Sequence, residues 1–367
     1  MITKMRMTKM ALGFFFTVFT VFPLFLLSGT NHAETSIVEE EIVNSGSGTA
    51  IIMTGAAARL PQQAALLEEL YNRGLLNDVV FISGVSAGAL NAVVLNSILT
   101  GKLTWDQYRK ILFSLENSDI FTLPEGKKLP VNTEPLRNLI SKIVEDSLGY
   151  RQIGDLPIMT EISFTSIREF YTGKRVYRMC SRKINSESDT TLSLVDIMMA
   201  SSAIPIAFPP VRIGNVKTIP DARFIDGAVG IDYIPFRALL DFQKFRKQNV
   251  GKVYIISRKS GNFVGLGENL RYLGLENKGR IERFVPSLDN MMRRIMLNRL
   301  EAFAREAPEM ISSSYVWIPD FEQDFLMLNF NNLEEQYTIT RSWAQVNNPV
   351  PLGDFLLYNK LKRRKDR

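Results

Sequence analysis

An α/β protein with a parallel sheet covered by helices is the fold class this sequence predicts. Two short apolar runs, Thr49 to Met53 and Val79 to Ile82, have the length and composition of buried strands. Each is followed by a helical stretch, so strand, helix, strand and helix succeed one another within about 50 residues. A glycine-flanked serine, Ser86, stands at the second strand-to-helix junction.

The chain opens on a targeting segment. Lys4, Arg6 and Lys9 make a basic start, and no acidic residue precedes Glu34. Ala11 to Leu27 is apolar apart from Thr17 and Thr20, with Pro23 inside it, and Ser28, Gly29 and Thr30 bring in small residues. This is the layout of a secretory signal peptide over residues 1–33, cut after Ala33. An uncleaved anchor is the alternative, although the run is slightly short of the ~20 residues a spanning helix wants. Either reading exports the body to a periplasm, a surface or the medium. Thr30 stands where a lipid-bearing cysteine would follow Leu-Ser-Gly, which disfavours a lipoprotein. Residues 34–48 end in Ser-Gly-Ser-Gly and read as a flexible linker.

Beyond the first strand, Gln62 to Arg73 carries its apolar residues at helical spacing, with Glu68 and Glu69 among them, and Gly74 closes it. Ala87 to Leu99 repeats the pattern with Leu90, Val93, Val94 and Ile98. Thr104 to Leu115 and Glu134 to Val144 are further helices, and Asn117 to Asn132 between them is loop-like. Glu161 to Ser166 and Arg175 to Cys180 read as strands joined through Tyr-Thr-Gly-Lys. Ser193 to Ser202 is a helix with Asp196 in its first turn, Lys252 to Ser257 a strand, and Ile281 to Arg305 one long helix.

Charge and cysteine narrow the function classes. The net charge of +6 is concentrated at the ends. Three basic residues lie in the targeting segment and six in the tail 360–367, which holds only Asp366 against them. The body is then slightly acidic, and nucleic-acid binding finds no basic domain to support it. The tail is either a solvated, disordered end or a patch for anionic lipid headgroups. Cys180, the only cysteine, reads as a buried structural thiol, and no Cys/His cluster has zinc spacing. No cofactor and no metal is called for.

The chemistry centres on Gly84-Val85-Ser86-Ala87-Gly88. A Gly-x-Ser-x-Gly pentad arises by chance in roughly one chain in ten of this size, so the pattern alone is weak. Its setting is stronger, because it leaves an apolar strand and opens an apolar helix, as a nucleophile elbow requires. A structural turn is the competing reading. A nucleophilic serine needs a base. The only histidine, His32, lies beside the signal cleavage site, so a Ser-His-Asp triad has no histidine to use. The base is a carboxylate or a lysine, and no lysine stands out near Ser86. Asp226, in Phe224-Ile225-Asp226-Gly227-Ala228, ends an apolar strand. Asp-Gly is also a favoured turn pair, and a free carboxylate near pKa ~3.9 is a feeble base unless it is desolvated and aimed.

Gly84 to Gly88, Asp226-Gly227-Ala228, and the order serine before aspartate together resemble the patatin-like phospholipases. Ala200-Ser201-Ser202-Ala203-Ile204-Pro205-Ile206-Ala207-Phe208-Pro209-Pro210-Val211 is similar to that family's Ala-Ser-x-Ala-x-Pro…Phe-Pro-Pro segment. The resemblance covers Thr49 to Leu240 and implies a three-layer α/β/α fold with a mostly parallel central sheet. It implies a catalytic domain over 49–240; residues 241–367, beyond the resemblance, either complete the fold or contact membranes. It also implies a metal-independent serine hydrolase of lipid esters, phospholipid or a related lipid, with Ser86 as nucleophile and Asp226 as general base. The family's loop after the first strand, Gly-Gly-Gly-x-Arg-Gly, binds the oxyanion through backbone N–H groups. Here the loop reads Gly55-Ala56-Ala57-Ala58-Arg59-Leu60, so Gly55, Ala56, Ala57 and the elbow residue Ala87 are the expected donors. Arg59, Gly84, Gly88, Gly227 and Ala228 support the motif, with a surface arginine as the competing reading of Arg59. Alanine adopts a positive φ only at a cost, so a loop that needs one at Ala56 or Ala57 is at risk of misaimed donors. Asp232 lies near where relatives often carry Asn. Phe121 and Leu123 either contact lipid or pack in the core. Three rival readings follow: a catalytically weak or inactive relative that binds lipid or a partner, a hydrolase of another acyl class, and an anchored structural component.

Overall fold

The computed structural model describes residues 48–123, 125, 129–167, 176–205, 207–214, 223–229, 231–247, 249–259 and 285–365, with side chains described outside 285–293 and 363–365. The expected signal segment, the linker to residue 47, His32 and the Tyr-Thr-Gly-Lys turn lie outside the described residues.

Among the described residues nine strands form one mixed sheet. They are β1 (Thr49–Met53), β2 (Val79–Val85), β3 (Met159–Ser166), β4 (Val176–Cys180), β5 (Val211–Arg212), β6 (Arg223–Asp226), β7 (Lys252–Ile256), β8 (Ser314–Trp317) and β9 (Val350–Pro351). The linked order is β5-β6-β3-β2-β1-β7-β8-β9, with β4 also paired to β3. The β3-β2-β1-β7-β8 block is parallel throughout, whereas β4, β5, β6 and β9 run antiparallel to their neighbours. Every residue of β1 is buried, as a strand sandwiched between two helical layers must be. This is the expected three-layer arrangement.

Alternation along β1 assigns the two faces. Ile51 and Met53 enter one core, and Ala50 and Ile52 the other. The first core is covered by α1 (Leu60–Asn72), α2 (Ala87–Leu99), α3 (Trp105–Phe113), α4 (Glu134–Ser141), α5 (Leu194–Ser201) and α8 (Leu333–Val346). The second is covered by α6 (Arg237–Arg246), α7 (Val285–Glu306) and α9 (Leu352–Lys365). Residues beyond Leu240 run back into the middle of the sheet, where β7 pairs with β1.

Several elements differ from the sequence reading. α8 lies over the Glu68 and Glu69 side of α1, a contact no local pattern records. Glu68 and Glu69 are buried and pair with Arg109, Arg341 and Arg73. α4 continues into a wider π turn over Lys142–Ser147. The 117–132 stretch contains a helical turn, Asn117–Ile120, and a bridge from Thr122 to Asn132. The basic tail, read as a disordered end or a lipid patch, is helical as far as Lys365. Cys180 is buried and free, as the sequence indicates.

One register decides where the chemistry sits. β2 pairs with β3 as far as Val85 opposite Ser163, and then leaves the sheet at Ser86. β4 occupies an edge of β3 over Glu161–Thr165. β6 pairs with Phe164–Ser166, including two residues already paired to β4, so it must lie along the edge that β2 vacates. Asp226, opposite Phe164, therefore arrives where β2 turns away.

Candidate active site

Ser86 links β2 to α2 with φ 57° and ψ −129°, a conformation costly for any residue with a Cβ. The turn is tight because its neighbours are glycines. A Cβ at Gly84 would lie 2.3 Å from the carbonyl oxygen of Gly88, and one at Gly88 would lie 2.6 Å from that of Thr54. Without them α2 could not start against the end of β1. The elbow is braced from α5: the Ser86 amide donates to Ser201 Oγ at 2.9 Å, and Ser201 Oγ donates to the Ser163 carbonyl at 2.8 Å. Ser86 itself is almost fully buried.

Asp226 ends β6, and the chain then turns through Gly227–Val229. Its own amide donates to the Ala203 carbonyl at 3.0 Å. Ser201 and Ala203 thus tie the two candidate catalytic residues to one short segment. The Ala228 amide donates to Asp226 Oδ1 at 2.8 Å, and the Ser86 hydroxyl is near enough to the carboxylate to lower its pKa. Burial pushes the carboxyl from its ordinary 3.8 up to about 7, while the Ser86 hydroxyl and the Ala228 amide pull it back. Gly227 is needed for this approach, since a Cβ there would meet the Ser163 carbonyl oxygen at 2.6 Å.

The loop after β1 closes the site. Gly55 faces the elbow directly: a Cβ on it would lie 3.2 Å from Ala228 Cβ and 3.4 Å from Ser86 Cβ. Ala57 has φ 50°, while Ala56 has φ −138°. The positive φ foreseen as a risk is therefore real at Ala57, and an alanine holds it. Among the described residues, none of the Gly55, Ala56, Ala57 and Ala87 amides is bonded to a protein acceptor, whereas the Ala58 amide donates to the Met327 carbonyl at 2.8 Å. Arg59 is not a surface residue. It is buried, and its Nε and Nη2 donate to the Phe325 carbonyl at 2.9 and 2.6 Å.

An apolar channel of about 100 Å³ borders Ser86. Ser86, Ala57 and Ala87 line it together with Leu90, Val94, Ile111, Leu136, Met198 and Phe208. The lining is almost wholly apolar, with Tyr108 as a polar exception whose hydroxyl is occupied by Asn91 Oδ1 at 2.6 Å. Burial raises the Tyr108 hydroxyl above its ordinary value, so it stays protonated. Phe121 packs in the core against Phe208, and Leu123 is exposed. Asp232 is fully buried on the opposite side of the sheet and is taken up by a forked pair with Arg178, both contacts 2.7 Å.

Sequence reasoning missed Ser201, Asn91 and the 323–336 segment. Ser201 lies inside the Ala-Ser-x-Ala stretch, and that pattern was the signal available. Nothing near Phe325 or Met327 in the sequence marks them as neighbours of residue 58. Among the described residues no group of three His, Cys, Asp or Glu is placed to hold a metal ion, and no helix is long and apolar enough to cross a membrane.

The sequence pattern described as patatin-like phospholipase matches residues 43–240, more than half of the chain. The crystal structure of VipD from Legionella pneumophila is similar at a TM-score of 0.39 and 12% identity, over 87% of this chain and 72% of that one. No curated protein matches the sequence.

Proposed function

The chain belongs to the patatin-like phospholipase family, whose members are lipid acyl hydrolases, and on that premise we propose that it cleaves carboxylic esters through Ser86 and Asp226. The reading rests on one observation: strand register brings a buried carboxylate, pushed up to about 7, beside a serine held in a strained elbow. A carboxylate so placed is a competent base near neutral pH. Asp226 takes the Ser86 proton as Oγ attacks the ester carbonyl. The developing oxyanion takes hydrogen bonds from the free amides of Gly55, Ala56, Ala57 and Ala87. The leaving alcohol collects the proton from Asp226, and an acyl-Ser86 ester is left. Water then gives its proton to Asp226 and attacks the acyl carbon, the acyl–Oγ bond breaks, Asp226 returns the proton to Ser86 Oγ, and the fatty acid leaves. Every step uses groups of this chain alone, with no metal.

The apolar channel suits an acyl chain, and phospholipid or a related lipid ester is the proposed substrate. The proposed locale is outside the cytoplasm, argued from the basic and apolar start of the sequence. N-terminal sequencing of the exported protein reads it, and a retained Met1 would replace cleavage by anchoring. A membrane surface is the proposed partner. Leu357, Tyr358 and Leu361 are exposed on α9 beside exposed Lys360 and Lys362, an arrangement that suits an anionic bilayer.

The deciding assay is fatty-acid release from mixed phospholipid vesicles by wild type and Ser86→Ala. Release that disappears in the variant supports the dyad. Equal release from both, or none from folded wild type, overturns it, and the second outcome moves weight to a lipid-binding relative.

A further inference from the structure

Ala57 holds a left-handed backbone that glycine would adopt freely, so something else must hold it there. The loop is gripped from outside by the first turn of α8 and by the segment that leads into it. Gln336 is completely buried, and its Nε2 donates to the Ala58 carbonyl at 3.0 Å and to Asn332 Oδ1 at 3.0 Å. Its Oε1 accepts from Gln62 Nε2 at 3.1 Å. The Met327 carbonyl takes the Ala58 amide, and the Phe325 carbonyl takes two donors of Arg59. That segment is itself pinned to the end of β7, because Lys259 Nζ meets Asp324 Oδ1 at 3.0 Å and the Gln323 carbonyl at 3.1 Å. On the inner side, Gln63 Nε2 donates to the Thr54 carbonyl at 2.7 Å, and Thr54 bonds the Ser257 hydroxyl at 2.8 Å. Both neighbours of the 55–57 stretch are therefore fixed, while its own amides stay free.

We propose that Gln336 is a positioning residue for the oxyanion loop: with the Phe325 and Met327 carbonyls it forms a clamp that keeps Ala57 left-handed and its neighbouring amides aimed at the site. The clamp lies wholly outside the 43–240 stretch that matches the family. It supplies by tertiary contact what a glycine-rich loop supplies by local freedom. The proposal rests on the reading of Ser86 as nucleophile and of this loop as its oxyanion site.

The test compares wild type, Gln336→Met, and Gln336→Met with Ala57→Gly. Three readouts are used: turnover of a soluble monomeric ester, the melting temperature, and amide hydrogen exchange in the peptide spanning residues 54–60. The clamp predicts faster exchange in that peptide for Gln336→Met. It also predicts a kcat loss of about 10- to 100-fold with KM little changed, within the range seen when an oxyanion donor is lost. Adding Ala57→Gly restores most of kcat without restoring the melting temperature, an outcome a purely structural glutamine does not give. Arg59→Lys, which gives up the forked contact to Phe325, serves as a second variant if Gln336→Met fails to fold, and predicts the same split. Unchanged exchange at 54–60 overturns the clamp, and a kcat that is unaffected or not rescued overturns the positioning role. Wild-type protein without Ser86-dependent turnover overturns the catalytic reading, whereas the exchange measurement still tests the grip on the loop.

Discussion

At the scale of residues, the site depends on a few side chains whose costs are set by burial. Asp226 titrates near 7, so kcat/KM is expected to rise with pH through about that value and then level off, because the base must be ionised. A flat profile from pH 5 to 9 would remove Asp226 from the mechanism. The same shift has a stability consequence of opposite sense. Unfolded, the carboxyl ionises above about 3.9; folded, it ionises only near 7, so the folded state binds the extra proton in between and stability falls as pH rises across that window. The loss reaches roughly 4 kcal/mol at pH 8, to order of magnitude. Asp226→Asn is therefore expected to melt higher than wild type at pH 8, with the difference shrinking towards pH 4. Ser201→Ala leaves the Ser86 amide buried without its acceptor, which costs about 1–3 kcal/mol. It should lower both the melting temperature and kcat, and Ser201→Thr should recover part of each. Full activity in Ser201→Ala would show that the elbow needs no brace.

Helices and strands carry a second set of expectations. α9 was legible as a basic tail but not as a helix, because it packs on α7, β8, β9 and the 308–313 turn, contacts that no local pattern records. Once helical, it presents Leu357, Tyr358 and Leu361 together on the outside. Leu357→Glu with Leu361→Glu should abolish sedimentation with anionic vesicles while leaving turnover of a soluble ester intact. Binding of the wild type should weaken with salt, since each basic residue near the surface contributes about 1 kcal/mol that ions screen. Equal binding to neutral vesicles, insensitive to both changes, would dismiss α9 as the contact. α1 teaches the converse lesson. Its spacing reads as amphipathic, yet Glu68 and Glu69 are covered by α8 and meet Arg341. A helix pattern reports which side chains are polar, not whether another helix lies over them.

For the molecule as a whole, the question is whether the matched region stands alone. β7 pairs with β1 along its full length, and α8 packs over α1. A fragment ending at Leu240 would expose the β1 edge and the charged face of α1 together. Residues 43–240 expressed alone are expected to show no cooperative thermal transition, and a sharp melt would show that the C-terminal part is dispensable.

What the sequence determined by itself was local: the alternation of strands and helices, the glycine-flanked Ser86, the strand-ending Asp226, and the lack of any histidine but His32. These follow from periodicity, turn chemistry and composition, which are properties of neighbouring residues. The tertiary structure alone decided that β6 takes the edge β2 leaves, which brings Ser86 and Asp226 together across 140 positions of chain. It alone decided that Ala57 is left-handed and gripped by Gln336, and that Arg59 is buried under Phe325. The reason is physical: strand register and the burial of a polar group depend on which distant segment supplies the partner, and no pattern of adjacent residues records that choice.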